Sequence, residues 1–127
     1  MNRSRVIIAG SRDCPLEDRG LYEAVRAMLF TETADQDIEI VSGGARGADK
    51  FGERFATEHS LPLKVCKANW DKYGKRAGYL RNIEMAELDD VRELIVLWDG
   101  VSKGSKHMID IALARCIKTT VIFYEEL

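Results

Sequence analysis

The chain has 127 residues, 46% of them hydrophobic and 31% charged, with a formal net charge of −2. That length suits one ordinary domain, expected here to span residues 1–127, and the balance excludes wholesale disorder. With 19 Lys and Arg against 21 Asp and Glu, a duplex-coating protein is a poor fit, because nonspecific DNA affinity comes from phosphate neutralisation; a small anion needs only a local positive site.

In chain order, Val6-Ile7-Ile8-Ala9 is too short for a signal-peptide core and reads as a strand ending at Gly10. Leu21, Val25, Met28 and Leu29 recur at helical spacing. Ile38 to Val41 is a second strand, and Ala48, Phe51, Gly52, Phe55 and Ala56 form the next helical face. Leu63 to Cys66 reads as a third strand, Lys67 to Gly78 as the longest irregular piece, and Arg81 to Leu88 as part of a helix. Leu94 to Trp98 is the most apolar strand, Met108 to Cys116 stripe a last helix, and Thr119 to Tyr124 close the pattern. Short apolar strands alternating with amphipathic helices predict a three-layer, Rossmann-like α/β fold with a parallel five-stranded sheet in order 3-2-1-4-5. Its ligand crevice is expected at the carboxyl ends of the strands, by the switch point between strands one and four. No run approaches the ~20 residues of a membrane span. Cys14, Cys66 and Cys116 are odd in number and show no CxxC, which points to a reducing cytoplasm. Cys14 falls in a loop, and the other two read as core fillers.

Three strand ends carry glycine and serine before a helix: Gly10-Ser11-Arg12, Ser42-Gly43-Gly44-Ala45-Arg46-Gly47-Ala48-Asp49, and Asp99-Gly100 with Gly104-Ser105. One such loop is an ordinary turn. Three at one sheet edge point to an anion or nucleotide site, since helix N-termini bind anions and glycine admits close approach. Walker A and GxGxxG are absent, which disfavours a P-loop NTPase or a standard NAD site. Arg12, Arg46 and Arg81, the last at a helix start, supply guanidinium forks suited to phosphate. Asp49 either binds a ribose hydroxyl or favours a helix N-terminus electrostatically. Lys67 to Arg81 holds five basic residues and one acid, a local +4 that leaves the remainder at −6. Its interleaved aromatics suit a loop closing over a nucleotide, or a solvated loop with Trp70 packed on the body. His59 lies near a helix end and reads as a surface residue, whereas His107 is placed to face the crevice; neither has a partner that makes a triad, and no metal site or cofactor is implied.

Ile8-Ala9-Gly10-Ser11-Arg12, Val41 to Asp49, Ala77-Gly78 with Arg81-Asn82 and Met85, and Trp98-Asp99-Gly100 with Gly104 and Met108 together resemble the SLOG superfamily, and most closely its small YspA-like branch. The resemblance implies a Rossmann-like domain that binds a nucleotide or nucleotide-derived phosphate ligand as a sensor or nucleotide-processing protein, and it is compatible with a homo-oligomer. It implies ligand contacts from Gly10, Ser11, Arg12, Ser42, Gly43, Gly44, Arg46, Gly47, Asp49, Arg81, Asn82, Asp99, Gly100, Gly104 and Ser105. Val41 to Asp49 and Arg81-Asn82 also look like motifs of the DNA-processing protein A family, which implies single-stranded nucleic-acid binding. Arg81 matches an arginine of the Lonely Guy phosphoribohydrolases, which implies a nucleotide hydrolase or glycosyl transferase. Asn82 stands where that family has lysine, however, and its glutamate is missing, with Asp110 one helical turn later.

Overall fold

In a computed structural model describing residues 4–30 and 37–124, the three central strands bury apolar residues toward both faces because helices cover both. The elements are β1 (Ser4–Gly10), α1 (Arg19–Leu29), β2 (Ile38–Ser42), α2 (Ala48–Glu58), β3 (Leu63–Val65), α3 (Trp70–Tyr73), a 3-10 turn (Gly74–Arg76), α4 (Ala77–Ala86), β4 (Val91–Trp98), α5 (Lys103–Ala114) and β5 (Lys118–Phe123). The strands form one parallel sheet in the order β3-β2-β1-β4-β5, as the alternating pattern predicts.

Side chains alternate across the pleat. Val6, Ile8, Ile38, Ile40, Ile95 and Leu97 pack with α1 and α2 through Leu21, Val25, Phe51 and Phe55. Ile7, Ala9, Val41, Leu94 and Val96 face α4 and α5 through Met85, Met108 and Ala112. All of these residues except Ala9, Leu21 and Phe51 are at most 1% exposed. The chain leaves β1 toward β2 and leaves β4 toward β5, so the loops after these adjacent strands diverge and open a crevice between them.

Three local expectations need correction. The Lys67 to Gly78 stretch is mostly helical: the Asn69 side chain accepts the Lys72 N–H at 3.1 Å, starting a four-residue helix, and Gly74 (φ 58°) ends it. A single turn leaves no periodic apolar signal. The next helix begins at Ala77, so Arg81 lies in its second turn and not at its start. Cys116 is exposed: it follows the α5 C-cap at φ 59°, donates to the Leu113 carbonyl, and lets Ile117 reach back to Ala112 at 2.9 Å. That left-handed capping position points its side chain away from the sheet.

Candidate functional site

The three glycine-bearing loops meet at the carboxyl edge of the sheet. After β1, the Ser11 N–H donates to the Leu97 carbonyl (3.0 Å), and its Oγ accepts the Asp99 N–H (3.1 Å), joining the first loop to the third. The Ala48 N–H donates to the Ser11 carbonyl (3.0 Å), joining the first to the second. Within the second loop, Ser42 Oγ accepts the Gly44 N–H and donates to Glu53, while Asp49 Oδ2 accepts the Ala45 N–H at 3.0 Å. In the third, Asp99 Oδ1 accepts the N–H groups of Val101 and Ser102, both at 2.8 Å, and Ser102 caps α5.

Consecutive residues of α4 bridge the second and third loops. Arg81 Nη1 donates to the Gly43 carbonyl at 2.6 Å and lies 3.9 Å from Asp49 Oδ2, and its Nε donates to Asn82 Oδ1. Asn82 Nδ2 in turn donates to the Gly104 carbonyl and lies 3.2 Å from His107 Nδ1. Burial pushes the Asp49 carboxyl above its ordinary range, against the pull of Arg81 and the Ala45 N–H. Burial pushes Asp99 the same way, but the Ser102 and Val101 N–H bonds outweigh it and hold that carboxyl below its usual range.

These contacts leave a cavity of about 430 Å³, lined by Gly10, Ser11, Arg12, Arg46, Asp49, Arg81, Asn82, Asp99, Gly104 and Ser105. Gly43 and Gly44 line an adjoining cavity instead. Ser42, Gly47 and Gly100 line neither and serve the loops themselves. At Gly47 (φ 75°) a Cβ would stand 2.4 Å from the Ser11 and Arg12 carbonyl oxygens, so that glycine admits the first loop's backbone. Trp70, Lys75, Tyr79, Met85 and Met108 also line the first cavity. The mixed basic and aromatic composition of Lys67 to Arg81 signals the first three; the two methionines fall in the family-like motifs, though their helical spacing alone reads as ordinary core. Trp70 is 47% exposed. It packs beside Gly78, and the Arg12 guanidinium stands 5.4 Å from its ring centre.

The remaining chemical candidates lie elsewhere. His107 packs edge-on against Tyr79 and does not line the cavity. His59 is half-buried among Tyr22, Phe30 and Phe55, and so is part of the core rim and not a surface group. The loop residue Cys14 is 4% exposed, and burial, with Asp18 and Asp13 adding, pushes its thiol up to about 12, too high for a nucleophile at neutral pH. Among the described residues no group of three His, Cys, Asp or Glu side chains converges on a metal position. No helix among them is long and apolar enough to cross a membrane.

Comparison with known proteins gives three findings. The family model of the YspA, cpYpsA-related SLOG family matches residues 4–73. The Gene 61 protein of Mycobacterium phage D29 is 37% identical over 110 residues, covering 81% of this chain and 83% of that protein. The X-ray structure of DNA processing protein A from Streptococcus pneumoniae superposes with a TM-score of 0.69 at 18% identity, over 98% of this chain and 52% of that one. The chain thus spans about half the length of that structural neighbour, and the likeness shows the fold.

Proposed function

We propose, from the premise that the chain belongs to the YspA, cpYpsA-related SLOG family, that it binds a nucleotide or nucleotide-derived phosphate ligand at the carboxyl edge of the sheet. The observation that carries this reading is the cavity's composition: four cations, Arg12, Arg46, Lys75 and Arg81, share one concave wall with the aromatic rings of Trp70 and Tyr79. A nucleotide presents both complements, a phosphate for guanidinium forks and a flat base for a ring. The cavity's three acids, Asp13, Asp49 and Asp99, temper those four cations but leave a formal excess of one positive charge.

Hydrogen bonds already made within the loops support a division of roles in the site. The Gly44 N–H is taken by Ser42 and the Ala45 N–H by Asp49, so phosphate falls to Arg46, Lys75 and Arg81 more than to the glycine loop. Asp49 acts as the clasp of that loop, and sugar hydroxyls fall to Asp99 and Ser102 of the third loop, which also line the cavity. Calorimetric titration of nucleotides, ADP-ribose and nucleotide sugars tests the reading. At least one should bind, and Arg81→Ala should weaken it at least about tenfold, the equivalent of one charge-assisted contact. A silent panel, or unchanged binding by the variant, rejects it.

A second reading, single-stranded nucleic acid, draws on the exposed Lys72, Lys75 and Arg76 around Trp70 and on a structural neighbour named for DNA processing. It requires an affinity falling steeply with salt and abolished by charge reversal at those three positions. Phosphoribohydrolase chemistry has less support: Asp110, nearest in sequence to the missing glutamate, is exposed, ion-paired to Lys106 at 2.9 Å, and outside the cavity. Release of free base from nucleoside monophosphates is the assay that would revive it.

A further inference from the structure

The Arg12–Trp70 contact is a partition with a cavity on either side. Behind it lies a second concavity of about 540 Å³, sharing Arg12, Arg46, Trp70 and Arg81 with the first and adding Gly44 and Lys67. Its charge differs in kind. Asp13, Asp49 and Asp99 temper the first cavity, whereas every charged group lining the second is a cation. Four like charges around one concavity repel one another, and a concave wall focuses their field on whatever anion enters.

Lys67 is held there by the fold. Beyond β3 the Cys66 N–H still donates to the Ser42 carbonyl at 2.8 Å, so sheet pairing continues to the residue before Lys67. Gly44, at φ 74°, brings the second loop against the lysine stem, where a Cβ would stand 3.1 Å from Lys67 Cγ. Neither Arg46 nor Lys67 forms an ion pair among the described residues. An arginine fork and a lysine point charge with no acid to neutralise them suit a phosphate.

We propose that the second cavity is a second phosphate subsite, so that the ligand carries two phosphates, one on each side of the Arg12–Trp70 partition. The proposal rests on the nucleotide reading above. Two chemistries supply such a group, a diphosphate or an internucleotide phosphodiester, and the test separates them. The full chain is titrated with the four common ribonucleoside 5′-monophosphates, the matching diphosphates, and the matching 5′-phosphorylated homodinucleotides. The diphosphate or the dinucleotide should bind at least about tenfold more tightly than the monophosphate of the same base. Lys67→Glu, on an exposed residue, should erase that advantage while leaving monophosphate affinity within about twofold. Lys72→Glu, which reverses a charge in the same stretch outside both cavities, should preserve it. Monophosphate binding with no gain from a second phosphate overturns this proposal alone, as does an equal loss for all ligands in Lys67→Glu. Binding by none of the set overturns this proposal, and silence of ADP-ribose and the nucleotide sugars as well overturns the nucleotide reading with it.

Discussion

Arg81 reaches from α4 to the carbonyl of Gly43, a 2.6 Å bond that closes the site between two elements far apart in sequence. The partnership depends on the missing side chain at position 43: a Cβ built there would stand 2.7 Å from Arg81 Nη1 and 2.8 Å from its Cδ and Cζ. Arg81 therefore lies in a slot that only glycine leaves open, and its guanidinium is held in place before any ligand arrives. Preorganisation of this kind limits the side-chain entropy lost on binding.

Gly43→Ala should accordingly separate binding from stability. The colliding atoms belong to the far part of a flexible side chain, which can swing away, so unfolding free energy should fall by no more than about 1 kcal/mol. Ligand affinity should fall at least about tenfold, because the displaced guanidinium loses its fork geometry. Thermal melting and calorimetry on one preparation check the pair. Large destabilisation with unchanged affinity per folded molecule would mean Arg81 does not touch the ligand.

Gly10→Ala and Gly47→Ala should behave in the opposite way. At Gly10 a Cβ would stand 1.9 Å from the Leu97 carbonyl oxygen, and at Gly47 2.4 Å from the Ser11 and Arg12 carbonyls. Both collisions are with backbone, which cannot rotate aside, and Gly47 also has a left-handed φ. Each should destabilise the fold by about 3 kcal/mol or more, visible as a low denaturation midpoint before any ligand is added. Near wild-type midpoints would show that the three loops are not locked together as described.

The strand order follows from runs such as Leu94 to Leu97, apolar toward both faces, together with right-handed crossovers, so it was legible. The meeting of three loops at one sheet edge was legible because glycine and serine follow β1, β2 and β4 before the next helix. The division of labour among the glycines was not: Gly10, Gly43 and Gly47 look alike in sequence, but one meets β4, one a side chain and one the first loop. Nor was the partition, since Arg12 and Trp70 are brought together by a one-turn helix with no periodic signature.

Cys116 is exposed despite its apolar sequence neighbours for a related reason. Two helices end in the same pattern: Leu61 reaches back to Ala56 and Ile117 to Ala112, leaving Ser60 (φ 54°) and Cys116 (φ 59°) in the left-handed region that glycine ordinarily fills. Ser60→Gly and Cys116→Gly should each relieve that strain and raise stability by up to about 1 kcal/mol, after the larger entropy of glycine in the unfolded chain is set against it. Chemical denaturation of the single and double variants checks this, and the two distant sites should add. A loss of stability in either variant would show that its side chain contributes more than its backbone costs.

Asn82 and His107 make an acid-sensitive contact behind the site. With Asn82 Nδ2 donating, Nδ1 of His107 must accept, which requires a neutral imidazole. Burial lowers the pKa of His107 from its ordinary 6.5, with Asp110 pulling the other way. Between that lowered value and about 6.5 the unfolded chain binds more protons than the folded one, so stability falls as pH drops through this window and levels off below it. His107→Gln keeps a side chain able to accept from Asn82 and removes the titration. Its stability relative to the parent protein should therefore improve between about pH 7.5 and about pH 5.5. Ligand affinity of the parent should hold through that window and weaken only as pH falls to the lowered folded-state value, because Asn82 also accepts from Arg81 Nε and an amide repelled by the protonated ring no longer steadies that guanidinium. Parallel pH profiles of melting and binding for the two proteins decide the matter: if their difference is flat with pH, His107 does not govern the bridge.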